Sequence, residues 1–598
     1  MIAPHQFHIP VMGLAYTVDT PLKVARYGID SVLSIVEDRL IELMRRHYYP
    51  QSGREYIPIN SNEPDYRARR ITDYLNLVQT LVHEQVAAIK AQDFAPGSEL
   101  TKYFELLPSS SPLRKAYLDM LAATDADKKG AQAQWLRQQV VPGSIDVNIM
   151  TKVDKNNFDA AGQLIENGSD ALASLRGYVA SNLTHSSIVF SAGLNPRLYN
   201  YLESFRELDA QGWGQFNKKI VIKVSDYRSA LIQGKYLAKK GVWVSEFRIE
   251  SGLNCGGHAF ATDGFLLGPI LQDFAAKKEE LASALWSLYQ PAVQARGGIV
   301  YDKPHPIRYT VQGGIGTASE AEFLLAHYGM ESTGWGTPFL LCPEATTVDA
   351  ETLGQLCQAK EEDVVLSNNS PLGVRFHYLK GTSGEQEKQA RVFTGKPGSP
   401  CTEKHLVSNT EFTTEPICSA SLKYQQLKLK QLDAADIAAA EKEQQKEALF
   451  SKECLCVGLI NAAIKSYQLP ALKRQEGVTV CPGPNIAYFN RKVTLLEMAD
   501  HIYGRTNILP DGNRPHMFIK ELQLYLAFLR EQLNGSPLTK QQQAFVRNLQ
   551  EGIAYYKNIL PQMKFSEQEF EAFNNGLSEG INEIEEMVGY KEAIATTA

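Results

Sequence analysis

Between residues 140 and 350 of this 598-residue chain, short apolar stretches alternate with stretches of helical spacing. No other feature constrains the fold as tightly. The strand-like pieces are SIDVNIMT, HSSIVFSAG, KKIVIKVSD, VWVSEFRIE, HPIRYTVQGGIG and MESTGWGTPFL. Between them lie 156–166, LNPRLYNYLESFRELD, RSALIQGKYLAKKG and TASEAEFLLAHYG, which read as helices. Parallel neighbours need a long, usually helical crossover, so this rhythm predicts a largely parallel α/β sheet. An open sheet and a closed barrel satisfy it equally.

The same rhythm opens the chain. IPVMGLA reads as a strand, 17–27 as a helix and IDSVLSI as a second strand. At residue 38 it stops. RITDYLNLVQTLVHEQVAAIKAQ and SSPLRKAYLDMLAA are amphipathic, with Ser111-Pro112 as a helix start. Residues 38–139 therefore read as a helical insertion into one unit made of 1–37 and 140–350. Beyond it, 351–515 is a mixed, cysteine-containing region, irregular as far as Cys418. Within that region QLDAADIAAAEKEQQKEALF is helical by composition. Residues 516–598 read as several helices, with Ser566 and Glu569 spaced as a capping box.

Charge narrows the partners. A net charge of −6 does not suit general nucleic-acid binding, which needs a basic surface. No apolar run reaches the roughly 18 residues of a membrane helix. The start, MIAPHQFHIPVMG, lacks the pattern of a secretory signal, so the expected location is cytoplasmic. Eight cysteines spread through so long a chain do not suggest a disulfide framework.

Two glycine turns carry the strongest chemical signal. Gln312-Gly313-Gly314-Ile315-Gly316 follows a strand and precedes a helix, and Gly334-Trp335-Gly336-Thr337 follows the next strand. A phosphate is held by converging backbone N–H groups, which glycine leaves uncovered, and a helix N-terminus adds a favourable dipole. In (β/α)₈ barrels a phosphate site lies after the seventh and eighth strands. Tight turns without a ligand would have the same composition. A second signal is Cys255-Gly256-Gly257-His258, after VWVSEFRIE. A histidine at that edge can move a proton near neutrality, or simply cap its loop.

In their order along the chain these features resemble the nitronate monooxygenases, also called 2-nitropropane dioxygenases, and the related flavin enoyl reductases. IPVMGLA resembles the family's proline-methionine segment, and Val147-Asn148 its VN pair. Cys255-Gly256-Gly257-His258 is similar to its AGGH loop, with Cys in place of Ala. Gly313-Gly314-Ile315 matches its GGI turn. Gly336-Thr337-Pro338-Phe339-Leu340 with Glu344 resembles its closing segment. The resemblance spans roughly 9–350 without the insertion, and it implies a (β/α)₈ TIM barrel that binds FMN. Gly313, Gly314, Gly336 and Thr337 would hold the phosphate. Met12, Gly13, Asn148 and Gly257 would lie near the rest of the cofactor, and His258 would transfer the proton. Lys223 would meet a flavin oxygen, or reach solvent from its strand edge. The chain departs from the family in its insertion, its long extension and the Ala259-Phe260 that follows the loop, so nitronate itself is not the expected substrate.

Two further groups stand apart. Cys418, Cys454, Cys456 and Cys481, with Cys401 upstream, could hold an iron–sulfur cluster or zinc, or be buried thiols. The insertion interleaves tyrosines with Arg45, Arg46, Arg54, Arg67, Arg69 and Arg70, which reads as a packed, solvated face or as a surface for an anionic substrate.

Three functions follow as expectations. The first is an FMN-dependent oxidoreductase, a monooxygenase or enoyl reductase, taking electrons from NAD(P)H or another donor and acting on a small molecule. The second is a non-redox barrel isomerase or lyase whose glycine turns hold a substrate phosphate. The third is a non-catalytic scaffold, with the helical extensions contacting a carrier protein or another copy of the chain.

Overall fold

The computed structural model describes residues 4–149, 154–159, 161–191, 193–256, 262–471, 475–510, 514–533 and 538–597. Eight parallel strands close into a barrel in sequence order. They are β1 (Phe7–Ile9), β2 (Asp30–Ser34), β3 (Ile145–Asn148), β4 (Ser186–Phe190), β5 (Lys218–Val224), β6 (Val244–Glu250), β7 (Arg308–Gln312) and β8 (Ser332–Gly334). The ring closes where Phe7 and His8 of β1 pair with Thr333 and Gly334 of β8. The α/β barrel expected from the resemblance is therefore the fold, and the open sheet is not.

The lumen is part apolar and part charged. Val32, Val189 and Val221 form, with Val11, a small cluster separate from the main core. Along β6 the alternate residues Glu246, Arg248 and Glu250 are polar, and strand alternation puts them on one face. Arg248 lies 2.7 Å from Glu246 and 3.8 Å from Asp146 of β3. Thr310 of β7 donates to Glu246 at 2.7 Å. Flanking guanidinium groups, Arg248 and then Arg308, hold the Glu246 carboxyl down at about 2, against the burial that would raise it.

The expected insertion contains part of the barrel's own ring. Helix Tyr66–Lys90 packs on helix Asp170–Ala180, and a Cβ on Gly177 would lie 2.7 Å from the Ala68 carbonyl. The arginines and tyrosines of this region answer internal carboxylates. Arg45 pairs with Glu42 and Asp73, Arg70 with Asp38, Arg54 with Glu84, and Arg69 with Glu63. Arg67 donates to the Val36 carbonyl at 2.7 Å.

Four local expectations need correction. The first strand is Phe7–Ile9, and IPVMGLA is mostly the loop beyond it, because Pro10 has no N–H to continue the ladder. The helix read at 156–166 is absent among the described residues there, where a bridge joins Phe158 and Leu164. There the Asp159 carboxylate takes the N–H groups of Ala161 and Gln163 in competition with helix. The next helix starts at Ser169, whose hydroxyl caps it. The region after 350, read as irregular, holds helix Ala350–Gln358, an antiparallel pair β9 (Val364–Ser367) and β10 (Phe376–Leu379), and helix Ser383–Phe393. The long helix read near 440 is two, Leu422–Ala434 and Ala439–Ser451. The tail holds Met517–Gln532, Lys540–Ile559 and Glu567–Thr597, and Ser566 and Glu569 form the expected box. Among the described residues no helix is long and apolar enough to cross a membrane.

Removing one partner of a buried ion pair leaves the other uncompensated. Arg248→Met is expected to cost about 3–5 kcal/mol in urea unfolding; a loss below about 1 kcal/mol would mean the lumen charges are not coupled as described.

Candidate functional site

The C-terminal strand ends form a polar mouth. Glu250 Oε1, at the end of β6, lies 3.1 Å from Lys223 Nζ of β5 and accepts from Gln312 Nε2 of β7 at 2.7 Å. Asn254 Nδ2 donates to the same oxygen at 2.5 Å. Lys223 is thus largely buried in the mouth. Asn148 ends β3 in register with Ser34 of β2, whose hydroxyl is buried and has no hydrogen-bond partner among the described residues.

Four of the segments singled out in the sequence converge beside this cluster. A Cβ on Gly256, which has φ +73°, would lie 2.7 Å from Met12 Cα and from the Gly13 nitrogen. The two loops therefore touch backbone to backbone, an approach that only glycine permits. Gly336 packs on Cys255, Gly313 on Asn254, and Gly314, with φ +81°, on Leu253. The bends after β7 and β8 thus meet across the loop after β6. Gly257 and His258 lie outside the described residues.

The C-terminal extension builds the back wall. Cys481 O accepts from Gly256 N–H at 3.2 Å and from the Cys255 thiol at 3.4 Å. Thr337 Oγ1 donates to Pro482 O at 2.6 Å, so its hydroxyl is engaged. Asn485 Nδ2 donates to the carbonyls of Gly314 at 2.8 Å and Ile315 at 2.9 Å. Arg514 donates to Gly314 O at 2.7 Å and pairs with buried Glu320, also at 2.7 Å. A planar peptide turns its N–H opposite to its carbonyl, so these contacts aim the Ile315 N–H away from the extension. Glu320 also completes the capping box of helix Ala318–His327 with Thr317 and takes the Gly316 N–H. From the tail, Glu521 accepts the Leu267 N–H at 2.8 Å and that of Gly252, and burial pushes its carboxyl up to about 7.

The expected metal set divides. Cys418, Cys454 and Cys456 line one cavity, and the fourth sulfur there belongs to Cys401; Cys481, whose carbonyl reaches the barrel mouth, packs in an apolar cluster with Cys456 and Leu455 but does not line that cavity. At the edge of the same cavity Glu403 meets Glu37 and His405, and the three bring ligand atoms within 4.8 Å of one another. Arg39 pairs with Glu403 at 2.7 Å, and the Arg67 charge acts on Glu37, so these acids are balanced by cations of the chain.

The sequence reading missed Glu250, Asn485 and Arg514, named Gln312 only as the start of a glycine turn, and left Cys401 outside the ligand set. Glu250 and Gln312 were legible in principle, as polar residues alternating along buried strands. Asn485 and Arg514 were not, because nothing local ties them to residues 314–316. Comparison with family models and with curated proteins finds no match to this chain.

Glu521 yields a pH test. Its folded-state affinity for protons exceeds that of an ordinary glutamate, so the folded chain binds more protons between about 4.5 and about 7. Stability is expected to fall as pH rises through that window, and Glu521→Gln to flatten that part of the profile in chemical denaturation; an unchanged slope would count against it.

Proposed function

We propose that the chain is an FMN-dependent oxidoreductase working at the barrel mouth. The observation that carries this reading is the convergence of the Met12-Gly13, 253–256, 313–316 and 336–337 segments beside Lys223, Glu250 and Gln312. The donor set fits a flavin. Ser34 Oγ is buried at the mouth and has no partner among the described residues, so it can serve a polar ring edge. The Gly313-Gly314 and Gly336-Thr337 bends, backed by Asn485 and Arg514, would hold the phosphate, and Asn148 and Lys223 would face the ring. FMN, when bound, supplies the hydride chemistry.

The chain's own groups then have separate tasks. Lys223, kept beside Glu250, would present positive charge to an electron-rich ring oxygen if the flavin were bound there. Gln312 and Asn254 fix the Glu250 carboxylate, so the lysine has one position. His258, next after Gly257 in the sequence, would move the proton that accompanies hydride transfer. The substrate is a small molecule with an acidic C–H or an activated double bond, and NAD(P)H or another donor supplies electrons.

Purified protein is expected to carry about one FMN per chain, identified after release. Asn485→Ala should weaken FMN about tenfold, the equivalent of one lost buried hydrogen bond. His258→Ala should retain flavin and lose turnover. Protein that stays colourless after reconstitution with FMN sinks the reading and favours a barrel that binds a phosphorylated substrate instead.

A further inference from the structure

Four sulfurs from three separate stretches of the extension meet in one cavity. Cys401 lies in the loop after helix Ser383–Phe393, and Cys418 just before helix Leu422–Ala434. Cys454 and Cys456 open the short helix Leu455–Gly458. All four line the same cavity, beside Pro371 and Lys404. None of the four is in a disulfide. The one carboxylate at the cavity, Glu403, is turned to Arg39.

The local backbone supports a ligand. Cys401 has φ +52° and Lys404 φ +59°, so the turn between them is left-handed at both ends without a glycine. Each such residue costs on the order of 1–3 kcal/mol, and strain of this kind gathers at ligand clamps. Four soft thiolates call for zinc or an iron–sulfur centre, and their spacing disfavours a single ion. No three of these sulfurs lie within 4.8 Å of one another among the described residues. One tetrahedral zinc, with bonds of about 2.3 Å, would need all four sulfurs roughly 3.8 Å apart. A cube in which each thiolate holds its own iron spreads them wider.

We propose that Cys401, Cys418, Cys454 and Cys456 ligate a [4Fe–4S] cluster. Its place in the fold is informative. Leu459, directly after the helix that carries Cys456, lies 3.8 Å from where a Cβ of Gly13 would be. Tyr16, three residues beyond Gly13, donates to the Thr479 carbonyl at 2.7 Å. The cluster therefore sits about one helical turn behind the loop that lines the mouth. A role in carrying single electrons to that mouth rests on the flavin reading; the cluster itself does not.

The full chain, purified without oxygen, is expected to hold about four iron and four sulfide per chain. Its broad visible absorption should bleach with dithionite. Cys401→Ser and Cys418→Ser should lose the iron, while Cys481→Ser keeps it. Because the first two variants can misfold, the wild-type chain is also alkylated and read by mass spectrometry. The four ligands should be protected until iron is chelated, whereas half-buried Cys357 reacts in both states. The proposal is overturned by one zinc in place of iron, by no iron after reconstitution with iron and sulfide, by iron lost from Cys481→Ser but not from Cys401→Ser, or by alkylation independent of the chelator. Iron without flavin would sink the flavin reading and leave this one standing; flavin without iron would do the reverse.

Discussion

Charge compensation inside the barrel is the constraint on which the rest of this structure depends. β6 places Glu246, Arg248 and Glu250 on its inner face, the first two buried from water and Glu250 half-buried at the mouth. They are tolerable only when Asp146 of β3, Thr310 and Gln312 of β7 and Lys223 of β5 arrive around them. Closing the ring delivers those partners together. The same column ends in the Glu250 cluster at the mouth, so lumen charge and candidate site are one continuous system rather than a scaffold with a site added.

The extension completes that system from outside. A bare barrel would leave the bends at 313–316 and 336–337 with their carbonyls and hydroxyl unpartnered. Asn485, Arg514 and the Pro482 carbonyl take those roles, and Glu521 fastens the Gly252 end of the neighbouring loop. Buried polar groups need partners, and here the partners come from more than 130 residues downstream in sequence.

Much of the barrel was legible because its strands are apolar, β-branched and bounded by helices, and seven of the eight strands lie where the alternation put them. β1 was misplaced because Pro10 sits inside an apolar run that looks continuous by composition. The loop at 154–169 was misread because Asp159 and Ser169 act through side-chain-to-backbone bonds that hydrophobic spacing does not register. At the site, glycine turns could be seen, since they announce backbone conformation locally. Glu250 was hidden in a strand, and Cys401 stood 17 residues before Cys418 with no motif to join them. Long-range partnership leaves no local trace.

The back wall also bears on how the molecule is made. β8 is finished by residue 334, so a chain still being synthesised can close its ring long before residues 481–521 exist. Domains fold as their residues emerge, N-terminal part first. The barrel would then pass through a stage with a complete wall of strands and an unfinished mouth. Completion of that mouth belongs after the last helices have docked, and a chain arrested short of them would have a closed barrel with unpartnered bends at its rim.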